Sequence, residues 1–321
     1  MSKLRTYKML RPIFMTRDWF WNKLGLFALK KSIKRKWYFT KAAKEDEARR
    51  RMIAEKIMQL PDKMISPIEG TNLIVSMTSY GYRLEKTCPY ALYSIFQQTQ
   101  LPNRIVLNIN QNKWNDDNIP DLLKKLQRVG VEINYAEDIG PHTKFIPTLK
   151  KYPNDIIITA DDDILYDSTL VGELMAAYEA SDRKSVVCRE ATRAVDNNGK
   201  FVAYSKQKQL DHQCYDTNLI PLGFAGVLYP PHIFSNEIFN TKLIQKLCPK
   251  ADDIWFGVME ILSRIKILCV IPNSFREVNV DYNEEFNPRI SGALHFSNNE
   301  NGQNDMQWEA MVAHYKLTEE V

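Results

Sequence analysis

Asp155-Ile156-Ile157-Ile158-Thr159-Ala160-Asp161-Asp162-Asp163 is the stretch from which the rest of the chain is read. A short apolar run of this kind reads as a buried strand. Three consecutive carboxylates at its end repel one another, and each is expensive to desolvate without a counter-charge. A hard divalent cation, Mn2+ or Mg2+, removes that cost and takes oxygen ligands. The plainer alternative is an acidic loop capping the helix that starts near Ser168, although a single Asp suffices for a cap.

Around this run, strand and helix patterns alternate. Leu73–Met77, Arg104–Ile109 and Val131–Tyr135 read as strands, and Arg83–Gln98, Ile119–Val129, Phe145–Tyr152 and Ser168–Ala180 as helices. The second half is less regular, with strands at Val186–Cys188 and Ile267–Ile271 and a helix at Asp252–Arg264. Gly223–Tyr229 is a glycine-containing apolar segment, and residues 273–304 read as a long loop. The expected class is α/β, a mainly parallel sheet flanked by helices. Such sheets bind ligands at the carboxyl ends of their strands.

The 321 residues carry a net charge of +4, unevenly spread. Residues 1–63 hold 18 Lys or Arg against 6 Asp or Glu, and the remainder holds 25 against 33. Aromatics interleave with this basic segment at Trp19, Phe20, Trp21 and Phe27, and again at Lys34-Arg35-Lys36-Trp37-Tyr38-Phe39. That pattern suits an anionic membrane surface, where indoles sit among headgroups and lysines pair with anionic lipid. The alternative is a helical hairpin packed on the body with a solvated basic face. The expected organisation is therefore a helical, basic arm over residues 1–63 and a second unit over 64–321. Five cysteines without a C-x-x-C spacing read as free thiols in a reducing compartment. No run approaches the roughly 18 apolar residues that span a bilayer, and the chain shows no signal-peptide cleavage site. The expected location is cytoplasmic, peripheral on the inner face of the membrane.

Three stretches carry a resemblance. Val75-Ser76-Met77-Thr78-Ser79 followed by Arg83, the stretch Ala91–Thr99 with Leu101-Pro102 and Ile105-Val106-Leu107, and the Asp triplet itself together resemble glycosyltransferases of the Rossmann-like GT-A fold, family 2-like. Lys144-Phe145-Ile146-Pro147 ahead of the triplet also resembles exostosin-like (family 64-like) enzymes. The likeness covers roughly residues 72–270. It implies a donor half at about 72–165 and an acceptor half at about 166–321. It also implies that the metal bridges the diphosphate of a nucleotide sugar.

The resemblance assigns Asp161 to ribose and metal, Asp163 to metal and Asp162 to the donor side. Thr78 and Arg83 fall where nucleotide or phosphate is held, and a guanidinium suits that work; as a plain residue, Arg83 starts a helix on a solvated face. Asn108, Asn110 and Asn112 stand where an acidic base-reading residue is usual, and Asn110 is the candidate, since an amide also pairs with a uracil edge. Lys144 either meets the diphosphate or is a surface lysine. Asp252-Asp253 matches the acceptor-side acidic pair, with Asp253 as general base and Asp252 as a cap or acceptor ligand; alternatively both are first-turn helix carboxylates. Trp255 is either a sugar platform or core. His295 is a possible third metal ligand or a structural histidine, and His142 and His212 have weaker claims.

The expected activity is metal-dependent transfer of a sugar from a nucleotide-diphosphate donor to a glycan or lipid-linked acceptor, with inversion slightly favoured. Its setting is bacterial-type surface polysaccharide synthesis, such as lipopolysaccharide or capsule. The alternatives are a nucleotidyltransferase using the same Asp–metal site and a non-enzymatic protein whose basic arm binds nucleic acid. The acidic body argues against the latter, and no nucleic-acid partner is expected.

Overall fold

The structure, a computed structural model, describes residues 27–271, 278–281 and 302–317. The first element is helix α1 (Phe27–Gln59). Strand β1 (Leu73–Thr78) leads into α2 (Arg83–Lys86), α3 (Cys88–Phe96) and β2 (Arg104–Asn110). Then come α4 (Asp121–Val129), β3 (Val131–Ala136), a 3-10 turn over Gly140–Lys144, α5 (Ile146–Lys151) and β4 (Ile156–Thr159). These four strands lie in the order β3-β2-β1-β4, all parallel, as a β-α-β progression requires.

The second half completes the sheet differently. Helix α6 (Leu170–Ala180) leads to β5 (Val186–Cys188), and β6 (Ala191–Arg193), β7 (Lys208–Gln209) and β9 (Leu219–Pro221) form a separate three-stranded sheet. Strand β10 (Val227–Tyr229) then inserts antiparallel between β4 and β5, pairing Val227 with Thr159 on one side and Cys188 on the other. Beyond β5 lie β11 (Ile267–Cys269), parallel to it, and β8 (Cys214–Asp216), antiparallel at the edge. Helices α7 (Thr241–Leu247), α8 (Asp252–Leu262) and α9 (Gln303–Tyr315) complete the described chain. The eight-stranded, mostly parallel sheet with flanking helices is the α/β class expected.

Strand side chains alternate between two cores, following the two-residue period of the pleat. Val75, Met77, Ile105, Leu107 and Ile158 face one side with Leu92 and Ile95 of α3, Leu126 of α4 and Leu174 of α6. Ile74, Val106 and Ile157 face the other with Ile146 of α5, Ile254 and Val258 of α8, and Met311 of α9. The C-terminal turns of α1 belong to the first core through Ile53 and Ile57.

Several differences from the sequence reading have local causes. The segment read as one helix over Arg83–Gln98 breaks at Thr87 (φ −126°), because Pro89 has no N–H and its ring crowds the preceding turn. Within the segment read as a helical arm over residues 1–63, the described helix α1 runs Phe27–Gln59. Helix α9 and the small sheet were not anticipated. Trp19, Phe20, Trp21 and most of the 273–304 loop lie outside the described residues. No helix among the described residues is long and apolar enough to cross a membrane.

Gly226 makes the turn into β10 possible. Its φ is +94°, and an added Cβ would lie 2.5 Å from Leu170 Cδ1. Gly226→Ala is expected to destabilise the protein by about 2 kcal/mol, combining left-handed strain with overpacking, as read by urea denaturation.

Candidate active site

The carboxyl ends of β1, β2 and β4 open into a cavity of about 550 Å³. Thr78 ends β1, Asn110 ends β2, and Asp161–Asp163 follow β4; all line the cavity. Across from them stand Asp252 and Asp253 at the first turn of α8, and Lys144 at the end of the 3-10 turn. Thr78, Arg83, Asn110, Lys144, Asp161, Asp162, Asp163, Asp252 and Asp253 are therefore brought together.

The three aspartates have different surroundings. Asp162 accepts from Ser79 Oγ and from Arg83 Nη1 (2.8 Å), and its side chain is 6% exposed. Asp163 lies 3.0 Å from the same guanidinium and is 30% exposed. Asp161 pairs with Lys144 Nζ and is 27% exposed. The outer two carboxylates thus open to the cavity while the middle one ties the turn to the β1 loop. Tyr166 fixes the backbone: its hydroxyl accepts the Asp161 N–H (2.7 Å) and donates to the Phe224 carbonyl (2.9 Å).

Arg83 is nearly buried, with its guanidinium also 5.3 Å from the Tyr80 ring centroid. The solvated helix-start alternative does not describe it. Lys144 is not a surface lysine either. Its ammonium bridges Asp161 and Asp252, the latter at 2.9 Å. Burial works against that charge, but the carboxylates of Asp161, Asp252 and Asp253 outweigh it and hold the pKa well above the usual lysine value.

The Asp252–Asp253 pair divides its charge. Asp253 is pushed up to about 8, first by burial and then by the neighbouring Asp252 charge; the Gly223 N–H donated to its Oδ1 (3.0 Å) opposes this only in part. Burial also raises Asp252, but Lys144 and His142 reverse the sign and leave it lowered. Near neutral pH one proton therefore sits mainly on Asp253. About two turns further along α8, Glu260 is fully buried, and neither carboxyl oxygen has a hydrogen-bond partner among the described residues. Burial, and after it the Asp253 charge, raises its pKa well above the usual glutamate value.

Gly223 matters to this geometry. A Cβ there would stand 2.7 Å from Asp253 Oδ1 and 3.3 Å from Lys144 Nζ, so only glycine lets the two groups approach the backbone.

Other candidates resolve differently. Trp255 is fully buried, donates its indole N–H to the Ile238 carbonyl (3.3 Å) and is absent from the cavity wall; it is core, not a sugar platform. Asn108 is fully buried as well. Its amide donates to Thr148 Oγ1 (2.9 Å) and accepts from Asn134 (2.7 Å), bracing β1, β2 and β3 against α5. His142 is a core residue, held down to about 4 chiefly by burial, and His212 is exposed beside Asp211. His295 lies outside the described residues. Ser79, Trp114, Asp138 and Tyr204 line the cavity and were not singled out from sequence. Ser79 lies in the quoted Val75–Ser79 stretch and was within reach; Tyr204 lies in the irregular excursion before β7, where nothing local marks it.

The wall carries six carboxylates, with Asp138 the sixth, and four cations, Arg83, Lys113, Lys144 and Lys250. That surplus of hard oxygen donors suits a divalent cation. No three His, Cys, Asp or Glu side chains converge as a metal cage among the described residues. Mg2+ and Mn2+ do not need one, because one or two carboxylates plus substrate phosphates and water complete their shells.

If Asp253 acts as a base it must first lose its proton. The kcat/KM profile is then expected to rise with pH through an ascending limb near pH 8. The same shift opposes folding as pH rises, since the folded state binds the proton more tightly than the unfolded chain between about pH 4 and 8. Asp253→Asn should therefore raise the Tm at pH 8 by about 2–4 °C, as read by differential scanning calorimetry. Gly223→Ala should reduce turnover at least tenfold with little loss of secondary structure, as checked by circular dichroism beside the assay.

No family model and no curated protein sequence matches the chain. Among solved structures it is similar to S. aureus TarS 1–349 in complex with UDP, at 15% identity and a TM-score of 0.42 over 77% of this chain and 72% of that one. It is similar at 14% identity and 0.41 to the mannosyltransferase PcManGT from Pyrobaculum calidifontis in complex with GDP-Man and Mn2+, over 87% and 85% of the two chains. A cytidylyltransferase from Leptospira borgpetersenii serovar Hardjo-bovis stands at 14% and 0.39, over 74% and 97%. These neighbours include both glycosyltransferases and nucleotidyltransferases, at likenesses too low to assign a family.

Proposed function

We propose that this chain is a metal-dependent glycosyltransferase that moves a sugar from a nucleotide-diphosphate donor, a UDP-sugar, to a glycan or lipid-linked acceptor in surface polysaccharide synthesis. One observation supports it most: the Asp triplet and the Asp252–Asp253 pair line one cavity and are joined through Lys144. Sugar transfer needs a charged cradle for a diphosphate and, within reach of it, a carboxylate for the acceptor hydroxyl.

In this reading Asp161 and Asp163 hold Mn2+ or Mg2+, because theirs are the triplet carboxylates open to the cavity. The metal supplies positive charge that stabilises the departing diphosphate. Thr78, Arg83 and Asn110 receive the nucleotide at the ends of β1 and β2. Asp162 fixes Arg83 rather than touching substrate. Lys144 stands between diphosphate and acceptor, and Asp253 takes the proton of the attacking hydroxyl. A separate acceptor-side base is what direct displacement with inversion requires, and that stereochemistry is preferred here. The basic, aromatic arm is proposed to bring residues 64–321 to the inner face of an anionic membrane, close to a membrane-bound acceptor.

UDP with Mn2+, at about a hundredfold its dissociation constant, should raise the Tm by roughly 5 °C or more. Asp163→Ala should remove the metal-dependent part of the shift. Incubation with sugar nucleotides should release a nucleoside diphosphate; release of pyrophosphate would indicate nucleotidyl transfer instead. An unchanged Tm with every nucleotide and metal tried would rule the proposal out.

A further inference from the structure

Residues 278–281 run beside the Asp triplet. The Val280 N–H donates to the Asp163 carbonyl (2.8 Å), and the Leu165 N–H donates to the Val278 carbonyl (2.8 Å). Ile164 and Asn279 form an antiparallel bridge between these two contacts. The backbone that carries Asp163 is therefore paired, residue for residue, with a strap from the far end of the chain.

The other side of the strap is held by α1. Arg49 Nη2 donates to the Asn279 carbonyl (2.9 Å). Arg50 Nη1 donates to the Val280 carbonyl (3.2 Å) and pairs with Asp281 Oδ2 (3.1 Å). Asp46, itself buried, anchors Arg49 from one turn earlier. Ile53 and Ile57 seat the same helix in the core, so the guanidinium groups project from a fixed base. Arg51, next in sequence, does something different: it pairs with Glu47 on the helix surface and is 76% exposed.

We infer that Arg49 and Arg50 are positioning residues for the Asp161–Asp163 turn, acting through the 278–281 strap. The inference rests on the triplet being the metal and donor site. Mutually repelling carboxylates hold a productive geometry only if the backbone beneath them is fixed. Two forked, permanently charged donors on a core-seated helix provide that restraint from outside the cavity. The helical segment preceding the sheet thereby becomes part of the donor site's support, whatever its N-terminal end contacts.

The test compares the full-length Arg49→Ala/Arg50→Ala double variant, Arg50→Lys and the control Arg51→Ala with wild type. Calorimetry reads the affinity for UDP or GDP with Mn2+, and hydrogen exchange reads the Leu165 and Val280 amides. The expected result is an affinity loss of about tenfold in the double variant, together with faster exchange at both amides. Arg50→Lys should recover part of the loss, and Arg51→Ala should match wild type. Affinity at the Arg51→Ala level in the double variant overturns the inference, even where its Tm falls. Affinity loss with unchanged exchange at both amides assigns the loss elsewhere and overturns it too. Asp163→Ala separates this from the broader proposal. If it abolishes binding while the arginine variants are silent, only the positioning role fails. A wild type that binds neither nucleotide removes the donor site, and the inference with it.

Discussion

The Lys144 ammonium, bridging Asp161 on the strand side of the cavity and Asp252 on the helix side, is the interaction the site depends on. Without it, carboxylates from two parts of the chain would face each other across a partly dehydrated space, which costs stability through repulsion and unpaired desolvation. Lys144 is held from behind as well: its carbonyl accepts the Ser76 hydroxyl, which in turn shares a hydrogen bond with Thr148 (2.7 Å). A buried polar network under the sheet's end thus fixes the height of a single charge. Arg83 does the corresponding work for Asp162 and Asp163. Two cations tied into the frame offset the charge of the outer carboxylates and leave them open to the cavity.

Much of this was legible beforehand. The first four strands were read within a residue or two: β1, β2 and β4 are short apolar runs buried on both faces, and β3, the half-buried edge strand, follows the Gly130 stop of α4. The triplet and the Asp252-Asp253 pair stood out for the same reason: charge at the end of apolar stretches is costly unless used. What could not be read was partnership. Nothing near Arg83 or Lys144 in sequence says that they are buried, because their partners lie 79 and 17 residues away, and 108 for Lys144 and Asp252.

Composition also misled where burial decides. Trp255 follows two aspartates and so suggested a ligand platform, but helical geometry turns it away from the cavity and into the core. Asn108 and Asn110 sit two residues apart, a spacing that puts both on one face of a flat strand. Only Asn110, at the strand's end, reaches the cavity; Asn108 lies one pair deeper and is consumed in bracing the sheet. Tyr204 joins the cavity wall from a 3-10 turn over Tyr204–Lys206 and Asn304 from the first turn of α9, both distant in sequence from the strand ends.

The antiparallel insertion of β10 has a consequence for how the protein is made. The open edge of β4 waits for a partner that is synthesised 68 residues later, since Thr159 pairs with Val227. A ribosome that has released only the first four strands leaves that edge, which leads directly to the triplet, unpaired and rich in isoleucine. Such long-range pairing slows folding and exposes a nascent chain to association with its neighbours. The three aspartates just beyond Thr159 are the kind of charge that discourages this. Their first service to the molecule therefore comes before any ligand arrives, as gatekeepers of an unfinished sheet.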